Sequence, residues 1–158
     1  MLQDIERAAG AAFRDLGMQA VADDPPPELA TLCSFRRDGR AWASVDDDDR
    51  PVAYLLVEIV DGRAHVEQVS VHPSHARQSI GRRLIDHADS WAAERGLSAV
   101  SLTTYVDVAW NGPYYQRLGF RYLRDDELGE QLRAIRDREA ASGLDRWPRA
   151  AMIRERSL

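Results

Sequence analysis

The sequence predicts a mixed α/β fold in which a central, mostly antiparallel sheet contains one parallel, splayed strand pair and is flanked by helices. Asp61-Gly62 separates two β-rich runs, and this dipeptide predicts an antiparallel hairpin. A helical stripe over 80–92 then lies between two further strands. Such a strand–helix–strand crossover joins parallel strands, so the sheet is mixed. The length of 158 residues predicts one domain over 1–158.

Composition narrows the class of protein. With 44% apolar and 30% charged residues, the chain can bury an ordinary core. The formal net charge of −5 disfavours a nucleic-acid partner, and no run approaches the roughly 20 apolar residues that cross a bilayer. Asp4 and Glu6 lie where a signal peptide would be basic. These features predict a cytoplasmic monomer or homodimer, without nucleic-acid or membrane partners.

The first elements are helices. Apolar residues from Ile5 to Leu16 recur at helical spacing, and Gly17 follows where a left-handed cap is expected. The prolines within 18–27 predict a loop, and 28–35 predicts a second short helix. The single cysteine, Cys33, excludes an internal disulfide and is expected to be a small buried hydrophobe.

The hairpin register places polar groups together. Strands are predicted over 40–45 and 51–60, around an acidic, solvated turn. A two-residue turn sets Val60 opposite Arg63, and side chains alternate between the two faces of each strand. The further pairs on the same face are Glu58 with His65, Leu56 with Glu67 and Tyr54 with Val69. The register thus predicts a charge pair of Glu58 with His65.

The later elements follow the same logic. Strands are predicted over 66–71 and 99–106, with a helix over 80–95. Asn111 is predicted to cap a two-turn helix that ends at Gly119. A strand over 120–123, a helix around Leu132 and a last strand over 150–154 complete the chain.

The junction after the strand 66–71 indicates an anion site. A helix N-terminus presents unpaired N–H groups and the positive end of the helix dipole. Arg77, Arg82 and Arg83 add three cations there, and a phosphate would relieve both effects. The alternative is that these arginines form a solvated face with counterions.

Two segments carry a resemblance to a known family. The run 67–73 followed by Ile80-Gly81-Arg82-Arg83-Leu84 resembles the acetyl-CoA-binding core of the GNAT superfamily of N-acetyltransferases. The run 110–120 is similar to that family's Tyr-x-x-Leu-Gly-Phe signature. The resemblance covers 65–123. Ala76 replaces the usual Gln or Arg, and Ser79 replaces the usual first glycine.

The resemblance implies a cofactor site and a reaction. It places the pantetheine of acetyl-CoA on Val69 and Val71, and it also implies a cofactor contact for Asn111. Transfer to an amine needs a base and a proton donor for the leaving sulfur. Glu67 is the candidate base, expected to be buried beside Glu58, and Tyr115 is the candidate acid, with Tyr114 as its rival. The residues implied for the phosphates are Arg77, Gln78, Ser79, Ile80, Gly81 and Arg82.

The sequence therefore predicts transfer of an acetyl group from acetyl-CoA to a primary amine of a small molecule, by direct attack in a ternary complex. Trp110, Glu58 and Tyr54 are the candidate acceptor contacts. The loop acids Asp23, Asp24 and Glu28 favour a cationic acceptor. The alternative is a non-catalytic acyl-CoA sensor; a nucleotide-dependent enzyme is disfavoured because the loop lacks a Gly-Lys-[Ser/Thr] ending. His72 and His75 have no third ligand at recognisable spacing, so no metal is expected.

Overall fold

The computed structural model describes residues 1–156, and it confirms the predicted mixed sheet. Six strands are hydrogen-bonded in the order β1-β2-β3-β4-β6-β5, with β3 and β4 parallel. No helix within the described part of the chain has the length and apolarity to cross a membrane. The strands are β1 Ala41–Val45, β2 Pro51–Val60, β3 Arg63–Val71, β4 Ala99–Tyr105, β5 Arg121–Tyr122 and β6 Arg149–Glu155. The helices are α1 Leu2–Gly10, α2 Gln19–Ala22, α3 Leu29–Arg37, α4 Ile80–Glu94, α5 Gly112–Arg117 and α6 Glu130–Ala141.

The chain forms two compact units. The first unit contains Met1–Val57 and Glu67–His87, and the second contains Glu58–Val66 and the residues from Ala88 onward. Strands β2 and β3 each run from one unit into the other.

The first unit has a core under α1 and α3. Its members are Ile5, Leu32, Phe35, Tyr54 and Leu56. The predicted first helix changes to a 3-10 helix over Ala11–Leu16, and Gly17 ends it in the left-handed conformation with φ 73°.

Two expectations in this region were wrong. The segment 18–27 contains the short helix α2 and is not a loop throughout. Cys33 is exposed, because α3 turns its neighbour Leu32 and Phe35 inward and leaves Cys33 on the solvent side.

The second unit is organised around β4, β6 and α6. Strands β4 and β6 pair over their full length, from Ala99 opposite Glu155 to Tyr105 opposite Arg149. Helix α6 buries Leu132, which packs in one cluster with residues of β2 and β6. Helix α6, which lies between β5 and β6 in the chain, therefore packs on the core of this unit.

The hairpin turn fixes the start of α6. The Asp61 carboxylate accepts the backbone N–H groups of Gln131 (3.0 Å) and Leu132 (2.9 Å), so it caps α6 from a distant part of the sequence. Gly129 precedes α6, and a Cβ there would come within 2.3 Å of the Asp61 carboxylate. The close approach therefore requires glycine at this position.

The Asp61-Gly62 hairpin is confirmed, but the predicted register is wrong toward its open end. Asp61 and Gly62 have φ values of 51° and 71°, which define a two-residue turn of type I′. The unshifted register places Val52 opposite Val71, yet Val52 O accepts the N–H of His72 (2.8 Å). Such a one-residue shift arises from an extra residue in one strand. It moves each side chain beyond that point to the opposite face of the sheet.

Candidate active site

The loop between β3 and α4 holds two non-glycine residues in the left-handed region. Arg77 has φ 62° and Ser79 has φ 59°. This conformation costs roughly 1–2 kcal/mol for a residue with a Cβ, so it persists only where the fold imposes it. Ser79 thus adopts a backbone conformation that favours glycine. Left-handed residues at a helix start turn successive N–H groups toward one concave, anion-binding point.

Three arginines surround this loop. Arg77, Arg82 and Arg83 are all exposed, and the first turn of the fifteen-residue helix α4 contains no acidic side chain. Arg82 lies 3.9 Å from Asp86, at ion-pair distance but fully on the surface. Ile80 is buried, so it is available to a ligand through its backbone only. The donors present, backbone amides and guanidinium groups, fit a diphosphate.

The strand before the loop carries Glu67, Val69 and Val71. The expectation of a buried Glu67 was wrong, because this side chain is exposed. The parallel ladder of β3 with β4 consists of Ala64 opposite Val100 and His65 opposite Ser101, and β3 then runs on to Val71. Val69 and Val71 are half-buried.

A carboxylate cluster in the first unit was not predicted. Glu6 of α1 accepts hydrogen bonds from Tyr54 Oη (2.9 Å), Ser70 Oγ (2.5 Å) and Gln68 Nε2 (2.9 and 3.1 Å). The cluster also shows the physical result of the register shift. Tyr54, Gln68 and Ser70 all bond to Glu6, so Tyr54 lies on the same face of the sheet as Gln68 and Ser70. The predicted register had placed it on the face of Val69 and Glu67.

Tyr115 belongs to the second unit and is partly buried in α5. Its ring packs edge-on against Tyr114 (5.3 Å between centroids) and Phe120 (5.7 Å). Burial raises the pKa of Tyr115 above its ordinary value, Tyr114 raises it further, and Arg149 lowers it in part. The hydroxyl therefore stays protonated at neutral pH, as a proton donor must.

Asn111 precedes α5 as predicted, but its side chain makes no capping hydrogen bond. Its backbone carbonyl accepts the N–H of Tyr115 instead, at 2.9 Å. The prediction of a side-chain cap was therefore wrong.

The predicted charge pair of His65 with Glu58 was also wrong. His65 is buried, and its Nδ1 lies 3.0 Å from Ser101 Oγ. Burial lowers the pKa of His65 to about 4, with Glu139 opposing this change and Arg149 reinforcing it. His65 is thus neutral at neutral pH and cannot form half of an ion pair.

The candidate acceptor residues differ in accessibility. Trp110 is 40% exposed and Glu58 is half-buried, whereas Tyr54 has no exposed surface, which argues against its direct contact with an acceptor. Asp23 is paired with Arg14 at 2.9 Å, so its charge is partly neutralised. No group of three or more His, Cys, Asp or Glu residues that could hold a metal occurs within residues 1–156.

The predicted residues therefore fall into two groups. The phosphate loop, Glu67, Val69 and Val71 belong to the first unit, whereas Tyr115, Trp110, Asn111 and Glu58 belong to the second. Sequence reasoning missed Glu6. The available signal was the set of polar residues, Tyr54, Gln68 and Ser70, within strands that are otherwise largely apolar.

Solved structures share this fold at low identity. The ribosomal-protein-S18-alanine N-acetyltransferase from Escherichia coli matches with a TM-score of 0.64 and 17% identity, over 99% of this chain and 86% of that chain. The PaiA N-acetyltransferase from Thermoplasma acidophilum, in complex with coenzyme A, matches with a TM-score of 0.67 and 11% identity, over 97% and 89%. A nourseothricin acetyltransferase matches with a TM-score of 0.56 and 23% identity, over 84% and 72%.

Some matched proteins are longer than this one. The chain spans 62% of the length of an acetyltransferase from Bacillus anthracis in complex with acetyl coenzyme A, and 66% of one from Staphylococcus aureus. The family model for the acetyltransferase (GNAT) family matches residues 3–120, well over half of the chain. The protein therefore belongs to the acetyltransferase (GNAT) family.

Proposed function

We propose that this protein transfers an acetyl group from acetyl-CoA to a primary amine of a small molecule. The observation that carries the proposal is the loop before α4. Arg77 and Ser79 hold left-handed conformations there without glycine, and three exposed arginines surround the same turn. Anion binding is the function that this strained and strongly cationic loop suits best.

The first unit supplies the cofactor contacts in this proposal. The amides of 77–81 and the guanidinium groups of Arg77 and Arg82 bind the diphosphate. The backbone of Val69 and Val71 pairs with the pantetheine amides, and the short parallel ladder of β3 supports this assignment. The thioester supplies the activated acetyl group when it is bound.

Proton transfers complete the reaction. The neutral amine nitrogen bonds to the carbonyl carbon, the carbon–sulfur bond breaks, and the sulfur leaves with a proton. Glu67 accepts the proton that the amine loses, and its exposure lets it return that proton to solvent. Tyr115 donates to the sulfur, and burial keeps its hydroxyl protonated until that step. No covalent enzyme intermediate is required.

The test is release of free coenzyme A thiol from acetyl-CoA across a panel of amines. The panel contains polyamines, aminoglycosides, small amino metabolites and a peptide with an N-terminal alanine. Because the sequence contains no lysine, the protein offers no lysine side chain of its own as an acceptor. Turnover with a small amine supports the proposal. Turnover with the peptide alone, or cofactor binding without any transfer as a sensor predicts, contradicts it.

Replacement of Tyr115 tests the proton donor. Tyr115→Phe removes only the hydroxyl, so we expect an intact fold and a turnover about 10²–10⁴-fold lower. Tyr114→Phe is the matched control in the next position and is expected to keep most of the activity. Steady-state kinetics with the best acceptor measures both. Equal turnover for Tyr115→Phe and the unmodified protein would remove Tyr115 from the mechanism.

A pair of substitutions at Ser79 tests the phosphate loop. Ser79→Gly allows the φ of 59° without strain, and we expect coenzyme A binding to be equal or up to about tenfold tighter. Ser79→Pro forbids that φ and removes an amide donor, so binding is expected to weaken by more than about tenfold. Titration calorimetry measures both, with far-UV circular dichroism as the control for folding. Unchanged affinity in the proline variant would exclude the loop as the diphosphate site.

A further inference from the structure

The Glu6 carboxylate is held entirely by neutral donors. Tyr54, Gln68 and Ser70 supply a phenol, an amide and a hydroxyl, at 2.5–3.1 Å. Within residues 1–156 no arginine, histidine or N-terminal ammonium forms an ion pair with Glu6. The neighbouring Arg7 is bonded to Asp4 instead, at 3.1 Å. No counter-ion in the described chain therefore pairs with this carboxylate.

One of these contacts is short. Hydrogen bonds from a hydroxyl to a carboxylate are typically 2.5–2.7 Å long. The Ser70 hydrogen bond has this length, at 2.5 Å. Burial raises the pKa of the Tyr54 hydroxyl, and the nearby Glu6 charge raises it further, so Tyr54 remains a donor at all relevant pH values. Three fixed donors orient the carboxylate but leave its charge in place.

The cluster lies on the strand that the proposed function gives to the cofactor. The side chains of Gln68 and Ser70 point to the opposite face of β3 from those of Glu67, Val69 and Val71, while the proposed function uses the backbone of the same strand for the cofactor. Glu6 is half-buried, so it is shielded from bulk water without being closed off. A partly desolvated carboxylate without a cation is stabilised when a cationic ligand pairs with it.

We infer that Glu6 binds a protonated amino group of the acceptor, and that the acceptor is therefore a diamine or polyamine. The inference rests on the proposed function. The amine that attacks the thioester must be neutral, whereas a second amine on the same molecule stays protonated and pairs with Glu6. Tyr54, Gln68 and Ser70 are positioning residues in this arrangement, since they contact the carboxylate.

The test compares two acceptors that differ only in the second amine, 1,4-diaminobutane and butylamine, together with spermidine. The unmodified protein is expected to prefer the diamine. Glu6→Gln keeps the size and an acceptor oxygen but removes the charge. We expect it to raise the KM for 1,4-diaminobutane and spermidine about tenfold or more, with kcat and the kinetics of butylamine little changed.

Two further variants separate charge from structure. Asp4→Asn removes an exposed carboxylate from the same helix and is expected to leave all kinetic constants unchanged. Tyr54→Phe removes one donor but keeps the Glu6 charge, so the KM for the diamine should rise by less than about threefold. An equal effect of Tyr54→Phe and Glu6→Gln would show a structural role. A fall in kcat for every acceptor would show that Glu6 is a base. Either result overturns the inference.

Calorimetry keeps this inference distinct from the proposed function. Spermidine is titrated into the protein saturated with coenzyme A, so binding is measured without turnover. Binding that Glu6→Gln abolishes supports the cation site even if no transfer is detected, in which case the proposed function alone fails. Transfer to amines with identical spermidine binding in both proteins contradicts the cation site and leaves the acetyltransferase activity in place.

Discussion

The two units each contain a hydrogen-bonded carboxylate cluster, and the two clusters differ in whether the donors around the carboxylate are charged. In the second unit, Glu139 accepts from Arg136 (2.9 Å), from Arg149 (2.9 Å) and from the Thr103 hydroxyl (2.7 Å). In the first unit, Glu6 accepts only from neutral groups. Burial alone would raise the pKa of Glu139, but the charge of Arg149 and the hydrogen bonds from Arg149, Thr103 and Arg136 hold this pKa below its ordinary value.

The difference separates a structural carboxylate from one that is available to a ligand. Glu139 is saturated by two guanidinium groups, and its side chain is only 14% exposed. Arg136 is further fixed by Asp145, at 3.1 Å, so the network closes on itself. A cationic ligand is therefore not expected to bind to Glu139. Glu6 has the same number of donor side chains but no positive charge among them.

The largest expected effect comes from Glu139→Gln. It leaves Arg149 and Arg136 largely buried without their shared anion, and we expect a loss of about 3 kcal/mol in the free energy of unfolding. Glu6→Gln leaves no cation behind and should cost at most about 1 kcal/mol. Urea denaturation of both variants measures the difference. Equal losses would abolish the distinction between the two clusters.

The pH dependence of stability tests whether burial sets the pKa of His65. Glu139 raises this pKa and Arg149 lowers it, so the two charges oppose each other. Burial keeps His65 neutral with a pKa of about 4, below the value of about 6.5 in the unfolded chain. The unfolded state therefore binds the proton first as the pH falls. The stability that His65 contributes is complete above pH 6.5 and is lost between pH 6.5 and pH 4, by about 3 kcal/mol.

His65→Gln removes this titration. Between pH 6.5 and pH 4 the unfolding free energy of both proteins falls. We expect the fall to be about 3 kcal/mol smaller in His65→Gln than in the unmodified protein. The carboxylates titrate in both proteins, so the difference between the two curves isolates His65. Parallel curves would mean that the network charge, and not burial, sets the state of this imidazole.

The smallest expected effects come from the neutral donors. Thr103→Val removes a hydroxyl from the Glu139 cluster, and Tyr54→Phe removes one from the Glu6 cluster. Each should cost about 1.5 kcal/mol, because each hydroxyl donates one hydrogen bond to a charged carboxylate. Thermal and urea unfolding measure the pair. A much larger cost for Tyr54→Phe would mean that Glu6 depends on its donors as Glu139 depends on its arginines.

The sequence predicted the parts of the fold that local patterns determine. The Asp61-Gly62 turn and helix α4 were identified because turn chemistry and helical periodicity lie in short segments. The register toward Tyr54 was wrong because a one-residue shift in strand pairing leaves no mark on the sequence. The polar contacts of Glu6 join residues 48 to 64 positions apart, which no local pattern reports. For the phosphate loop the family resemblance supplied the expectation, and its left-handed residues then became visible in the structure.

The cap that Asp61 provides for α6 has a consequence for the order of folding. The two N–H groups that it binds lie 70 and 71 residues later in the chain, so this helix begins at a point set by a turn synthesised much earlier. During synthesis the hairpin can form from nearby residues, whereas the cap on α6 forms only after the long loop has closed. A chain truncated before residue 130 would keep the turn but leave its carboxylate with only water to bind.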